Sequence, residues 1–153
     1  MVVKEPQGSR HVSAVGLVAE ALRVAFGSGW FVQVQCPIAL DDRSEPEPDV
    51  CVVRGSPRDY RDALPTRPAL IVEVAVSGLR IARSRKAMMY ARAGIEDYWI
   101  VNVAGRTLEI HRDPAPAMGS RSRYRAVQAF GIDDTVSPLA MPSAQIAVAD
   151  LLP

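Results

Sequence analysis

The sequence predicts a mixed α/β (α+β) domain, a β-sheet flanked by helices, and three observations carry that prediction. The residues Val12, Val15, Val18, Leu22 and Phe26 recur at helical spacing. Short β-branched runs, Val50–Val53 and Ala69–Val72, have the length and composition of buried strands. A second helical pattern, Ile81 to Ala93, lies between strand-like runs, which implies a mixed sheet with helices packed on it. The 153 residues fit one domain with a substantial core, spanning 1–153.

The first helix is expected over Arg10 to Phe26, with Gly27 as its stop. Trp30 to Ile38 alternates as a strand, with Pro37 near its end. Ala39 to Pro48 is acidic, holds Pro46 and Pro48, and reads as loop or extended edge. Asp49 leads a short strand to Val53, and Gly55 to Pro65 is a loop punctuated by Pro57 and Pro65. A strand over 69–75 follows, and Gly94 closes the second helix. Asp97 to Val103 and Thr107 to His111 form a hairpin around Ala104-Gly105. Asp113 to Ser122 reads as a loop, Tyr124 to Phe130 as one more strand, and Ile146 to Leu152 as an apolar tail packed on the sheet.

The net charge of +1 does not select a partner, but the charge is unevenly placed. Between Val74 and Ile95 stand Arg80, Arg83, Arg85, Lys86 and Arg92 with no acid among them. Such a patch is either a solvated helix face or a phosphate-contacting surface. Cys36 and Cys51 lack metal-ligand spacing and read as free, partly buried thiols of a reducing compartment. His11 and His111 have no zinc-motif context. No apolar run approaches the ~20 residues of a membrane span, and no signal-peptide core opens the sequence, so the expected location is the cytoplasm, with no membrane partner.

Glu73 is the unexpected residue, because a carboxylate ends an apolar strand run where burial of an unpaired charge is costly. Asp49 heads the preceding strand. If the two strands pair across the loop 54–67, both carboxylates converge. Two hard oxygen ligands plus water suit Mg2+ or Mn2+, and such an ion serves phosphoryl chemistry. Arg83, Lys86, Ala87 and Tyr90 share one helical face, so Lys86 and Tyr90 project together toward the sheet edge, where Lys86 would add a positive charge near that pair. Glu20, in the first helix, and Glu47, two residues before Asp49, are candidate auxiliary acids; the alternative for each is a solvated surface carboxylate.

The strings SEPEPDVCVV, LIVEVAVS, RKAMMYARAGIEDYWIVN and LEIHR together resemble the Uma-type family of restriction-endonuclease-like proteins, in the PD-(D/E)XK nuclease superfamily. The resemblance is strong over Glu45 to Arg112 and looser back to the helix near His11. It implies a restriction-endonuclease-like mixed sheet and a Mg2+- or Mn2+-dependent endonuclease acting on DNA. It implies Asp49, of Pro48-Asp49, and Glu73 as metal ligands and catalytic acids. Ala75 occupies the motif's usual lysine position, and Lys86 from the helix stands in as the catalytic cation, with Tyr90 one turn on. Arg80, Arg83 and Arg85 would contact nucleic acid. Relatives commonly carry acids where this sequence has Val76 and Arg83. The alternative is therefore a non-catalytic relative, a nucleic-acid-binding or oligomerising module in which Arg83 takes the place of the ion. The family's N-terminal hairpin is expected to be missing, leaving an edge strand open to a partner chain, and a homodimer is the expected assembly.

Overall fold

The computed structural model describes residues 8–41, 44–115 and 121–153. Its centre is a six-stranded mixed sheet in the order β1 (Trp30–Val34), β2 (Val50–Arg54), β3 (Leu70–Ala75), β4 (Asp97–Asn102), β5 (Thr107–Ala115), β6 (Arg123–Phe130). All neighbours are antiparallel except β3 and β4, which are parallel. A parallel pair needs a crossover, and the second helical segment supplies it.

The two faces of the sheet are covered differently. On one lies α1 (Ser9–Phe26), whose Ala14, Val15, Val18, Leu22 and Phe26 pack on Val50, Val52, Val72, Trp99 and Val101. The C-terminal segment joins this layer through β7 (Thr135–Val136), β8 (Ile146–Ala147) and a 3-10 turn, Val148–Leu151, that buries Val148 and Leu151. The apolar tail thus packs as the sequence suggests. On the other face lies the crossover, which buries Ala82, Ala87, Tyr90 and Ala91 against Cys51, Ile71, Tyr98 and Ile100. Strand residues alternate between these layers, as the two-residue period requires.

Three boundaries differ from the sequence expectation, each for a local reason. β1 stops at Val34 rather than Ile38: Gln35 takes a left-handed φ of 52° and its N–H turns to the Asp49 carbonyl, 3.0 Å away. β5 runs on to Ala115 through the expected loop, because Pro114 and Ala115 lie opposite Tyr124 and Arg123; residues 116–120 of that loop lie outside the described residues. The crossover is one continuous helical path in three parts, α2 (Leu79–Ile81), a π turn (Ala82–Lys86) and α3 (Ala87–Arg92), not a single regular helix. The Tyr98 hydroxyl donates to the Ala82 carbonyl at the start of that π turn, 2.8 Å away, the kind of side-chain insertion that perturbs a helix ladder.

A structural anchor closes the fold at β4. Asp97 is fully buried and accepts bonds from the Trp99 indole N–H (2.7 Å), Arg112 Nε (3.0 Å) and the Leu139 backbone N–H (2.9 Å). It ties β4, β5 and the segment leading to the C-terminus together. Among the described residues, no helix is long and apolar enough to cross a membrane.

Candidate functional site

The acid pair forms where the β2–β3 ladder ends. The last regular rung is Val50 opposite Val72, which sets Asp49 opposite Glu73. In place of a further backbone rung, each carboxylate takes the other strand's amide. The Asp49 N–H donates to Glu73 Oε1 at 2.9 Å, and the Val74 N–H donates to Asp49 Oδ2 at 2.8 Å. Apolar flanking residues drive both strands inward, so the carboxylates are buried with them and their backbone partners offset part of the desolvation.

The crossover brings the counter-charge. Lys86 Nζ stands 2.9 Å from Glu73 Oε2, and the Tyr90 hydroxyl donates to the same oxygen at 3.1 Å. Lys86 and Tyr90 are one helical turn apart, as their spacing suggests. The Glu73 side chain is 3 % exposed, whereas that of Lys86 is 40 % exposed. The ammonium therefore bridges a buried acid and solvent. Burial raises the Glu73 pKa, Lys86 pulls it back, and the charge of Asp49 pushes it up; the net direction is upward. Burial also drives the Tyr90 hydroxyl upward, which keeps it a donor.

Arg83 departs from the face it was expected to share. Through Nε (2.8 Å) and Nη2 it binds Glu109 Oε2 on β5, not the acid pair. The π turn accounts for the change, since it closes i→i+5 instead of i→i+4 and shifts the residues within it around the axis. Arg83 is accordingly not a substitute for an ion between Asp49 and Glu73. Arg80 and Arg85 are exposed on the same crossover. Glu47 is exposed beside the pair in sequence. Glu20 is exposed nine residues, or ~13 Å of helix, beyond His11, and lines a groove against Gln145 and Asp150. It is not brought to the acids.

Three residues that the sequence reading did not place at the site join the neighbourhood. His11, from the first turn of α1, places Nε2 3.3 Å from Asp49 Oδ2, while its Nδ1 is buried without a hydrogen-bond partner. Glu109 and His111 lie side by side on β5, with His111 Nε2 3.2 Å from Glu109 Oε1. Burial alone would raise the Glu109 pKa, but Arg83 and His111 hold it below the usual range; burial pushes His111 down. The alternation of β5 could have flagged Glu109 and His111 as inward-facing, since apolar Leu108 and Ile110 occupy the opposite face.

Among the described residues, no group of three or more His, Cys, Asp or Glu is arranged to hold a metal ion. An ion at Asp49 and Glu73 would have two protein carboxylates and complete its shell with water and substrate. That donor set matches Mg2+ or Mn2+.

No curated protein matches the chain. The fold is similar to the crystal structure of a "putative nuclease belonging to DUF820" from Anabaena variabilis, at a TM-score of 0.70 and 16% identity, covering 97% of this chain and 82% of that one. At that identity the likeness establishes the fold. The family model described as "Uma2: Putative restriction endonuclease" matches residues 1–149, nearly the whole sequence, and the chain therefore belongs to the Uma2 family.

Proposed function

We propose that the protein is a divalent-metal-dependent endonuclease that hydrolyses DNA phosphodiester bonds, with Asp49 and Glu73 as ligands of Mg2+ or Mn2+ and Lys86 as the catalytic cation. The observation that carries this reading is the buried Asp49–Glu73 pair with the Lys86 ammonium 2.9 Å from Glu73. When bound, the ion supplies an acidified water and neutralises charge on a phosphoryl oxygen.

The chain's own residues do the rest. Asp49 and Glu73 are held by backbone amides, so their orientation is fixed before any ligand arrives. Tyr90 and Lys86 fix Glu73 from the helix side. Lys86 faces solvent with its remaining N–H groups, where it orients the attacking water or meets the developing charge on phosphorus-bound oxygen. Arg80 and Arg85 supply positive charge along the approach. The second reading, a degenerate nucleic-acid-binding or oligomerising module, leaned on Arg83 replacing the ion. Its bonds to Glu109 speak against that. Among the described residues β1 pairs only with β2, and its open edge offers a second copy a strand to join, which favours a homodimer.

The test is calorimetric titration of Mg2+ and Mn2+ into wild type, Asp49→Asn and Glu73→Gln, with plasmid nicking by wild type and Lys86→Ala. The amide variants keep the shape of the cross-strand bonds. We expect binding in wild type, its loss in both variants, and loss of nicking in Lys86→Ala. Absence of metal binding by wild type, with and without DNA present, refutes the reading.

A further inference from the structure

The Arg83–Glu109–His111 cluster lies outside the proposed hydrolytic centre, yet it is built into the same face of the sheet. Glu73, Ile100 and Glu109 stand in register across β3, β4 and β5. Glu109 is thus two strands from Glu73, about 10 Å. Arg83 sits less than one turn before Lys86 on the crossover that covers this face. Both cations therefore reach down from one helix to acids of one row.

The pairing is costly for what it contributes to stability. The Glu109 side chain is 8 % exposed and that of its partner Arg83 is 51 % exposed. A half-solvated ion pair contributes little to stability, whereas burying a carboxylate carries a penalty of its own. His111, packed against Tyr98 and Tyr124, braces the second oxygen of Glu109. Arg83 spends Nε and Nη2 on a single carboxylate oxygen, which fixes the plane of the guanidinium. The remaining N–H groups of that fork are left for a ligand on the solvent side.

We propose that Arg83, held in orientation by Glu109 and His111, is an anion subsite that takes a backbone phosphate of the nucleic acid next to the scissile one. A planar fork fixed in advance suits phosphate oxygens. The inference rests on the reading of the protein as a DNA-acting nuclease, but its test needs neither metal binding nor cleavage.

The experiment measures DNA binding by fluorescence anisotropy with a labelled duplex in EDTA, across a salt series. The proteins are wild type, Arg83→Ala, Arg83→Lys and Glu109→Gln, each checked by thermal melting. Arg83 is half-exposed, so its variants keep the fold. Arg83→Ala is expected to weaken binding and to reduce the log–log salt slope by about 0.9, one phosphate's worth. Arg83→Lys keeps the charge but not the fork and is expected to stay weak. Glu109→Gln is expected to weaken binding too, because the guanidinium loses its orientation. A counter-charge with no positioning role predicts the opposite sign, tighter binding once Glu109 is neutral, and that result overturns the proposal. Wild-type affinity in Arg83→Ala also overturns it while leaving the nuclease reading intact. Failure of wild type to bind DNA overturns both. Inorganic phosphate that saturates the site, followed through the His111 ring resonances, with no loss of DNA affinity in Arg83→Ala, assigns the site to the free anion and overturns the nucleic-acid assignment.

Discussion

Replacing Lys86 by Met tests whether the acid pair is short of positive charge. Lys86→Met keeps most of the side chain's length and removes the ammonium 2.9 Å from Glu73 Oε2. A hydrogen bond to a charged group is worth about 1.5–3 kcal/mol. Lys86 is 40 % exposed, and solvent screening brings the expected loss to about 1–2 kcal/mol. For a chain of this size that corresponds to a drop of about 2–8 °C in Tm. The sign of the pH dependence follows from Glu73, whose pKa is raised by burial despite Lys86. A carboxyl with a raised folded-state pKa contributes stability that is present below its unfolded value and lost as pH climbs through the folded one. Without Lys86 the raise is larger. The deficit of Lys86→Met is therefore greatest at neutral pH and shrinks as pH falls toward 4.5, the ordinary value for the group. Urea denaturation at both pH values measures it. Adding Glu73→Gln to Lys86→Met should recover most of the loss at neutral pH, and Mn2+ should stabilise Lys86→Met more than wild type. A deficit that is independent of pH and unaffected by Glu73→Gln refutes the electrostatic account.

Further predictions concern the surrounding structure. Arg112→Met leaves the fully buried Asp97 without its cation and should cost about 3 kcal/mol, read as a lowered urea midpoint; Asp97→Asn in the same chain should restore part of it. His11→Ala should weaken Mn2+ affinity, by about tenfold if His11 helps set the orientation of Asp49, with little change in Tm; equal affinity in calorimetry removes that role. The Cys51 thiol, pushed up to about 12 by burial first and then by neighbouring Cys36 and Glu73, stays protonated. Mass spectrometry after alkylation at pH 8 should find Cys36 modified well before Cys51.

How much was legible in the sequence depended on how local the signal was. Asp49 and Glu73 could be placed together because both sit on runs with clear strand character and the two strands are consecutive, with no third strand-like run between them. Lys86 and Tyr90 could be put on one helical face toward the sheet because they stand four residues apart. Arg83 could not, because no propensity marks the π turn that redirects it to Glu109. The contact of His11 with Asp49 spans 38 positions and exists only once α1 has docked. Asp97 shows the limit of the rule that led to Asp49. It too is an acid heading an apolar strand, yet it is saturated by Trp99, Arg112 and Leu139 and serves as an anchor. An acid at a strand head therefore marks a need for partners, and only the tertiary arrangement decides which kind.

The parallel pairing of β3 with β4 also bears on the order of assembly. β1, β2 and β3 can zip as consecutive antiparallel neighbours, which brings Asp49 and Glu73 together through a loop of modest closure entropy. Lys86 and Tyr90 reach Glu73 only when the crossover has formed and β4 has docked beside β3, a non-local event that is slow by comparison. A partly folded chain holding only the first three strands would carry two adjacent carboxylates with neither lysine nor tyrosine to meet them. Their mutual repulsion discourages that species from accumulating at neutral pH, and docking of the crossover relieves it. The charges of the proposed site thus also penalise stopping halfway, so divalent cations or mild acid, by quieting the repulsion, should lengthen the life of any such three-strand species during refolding.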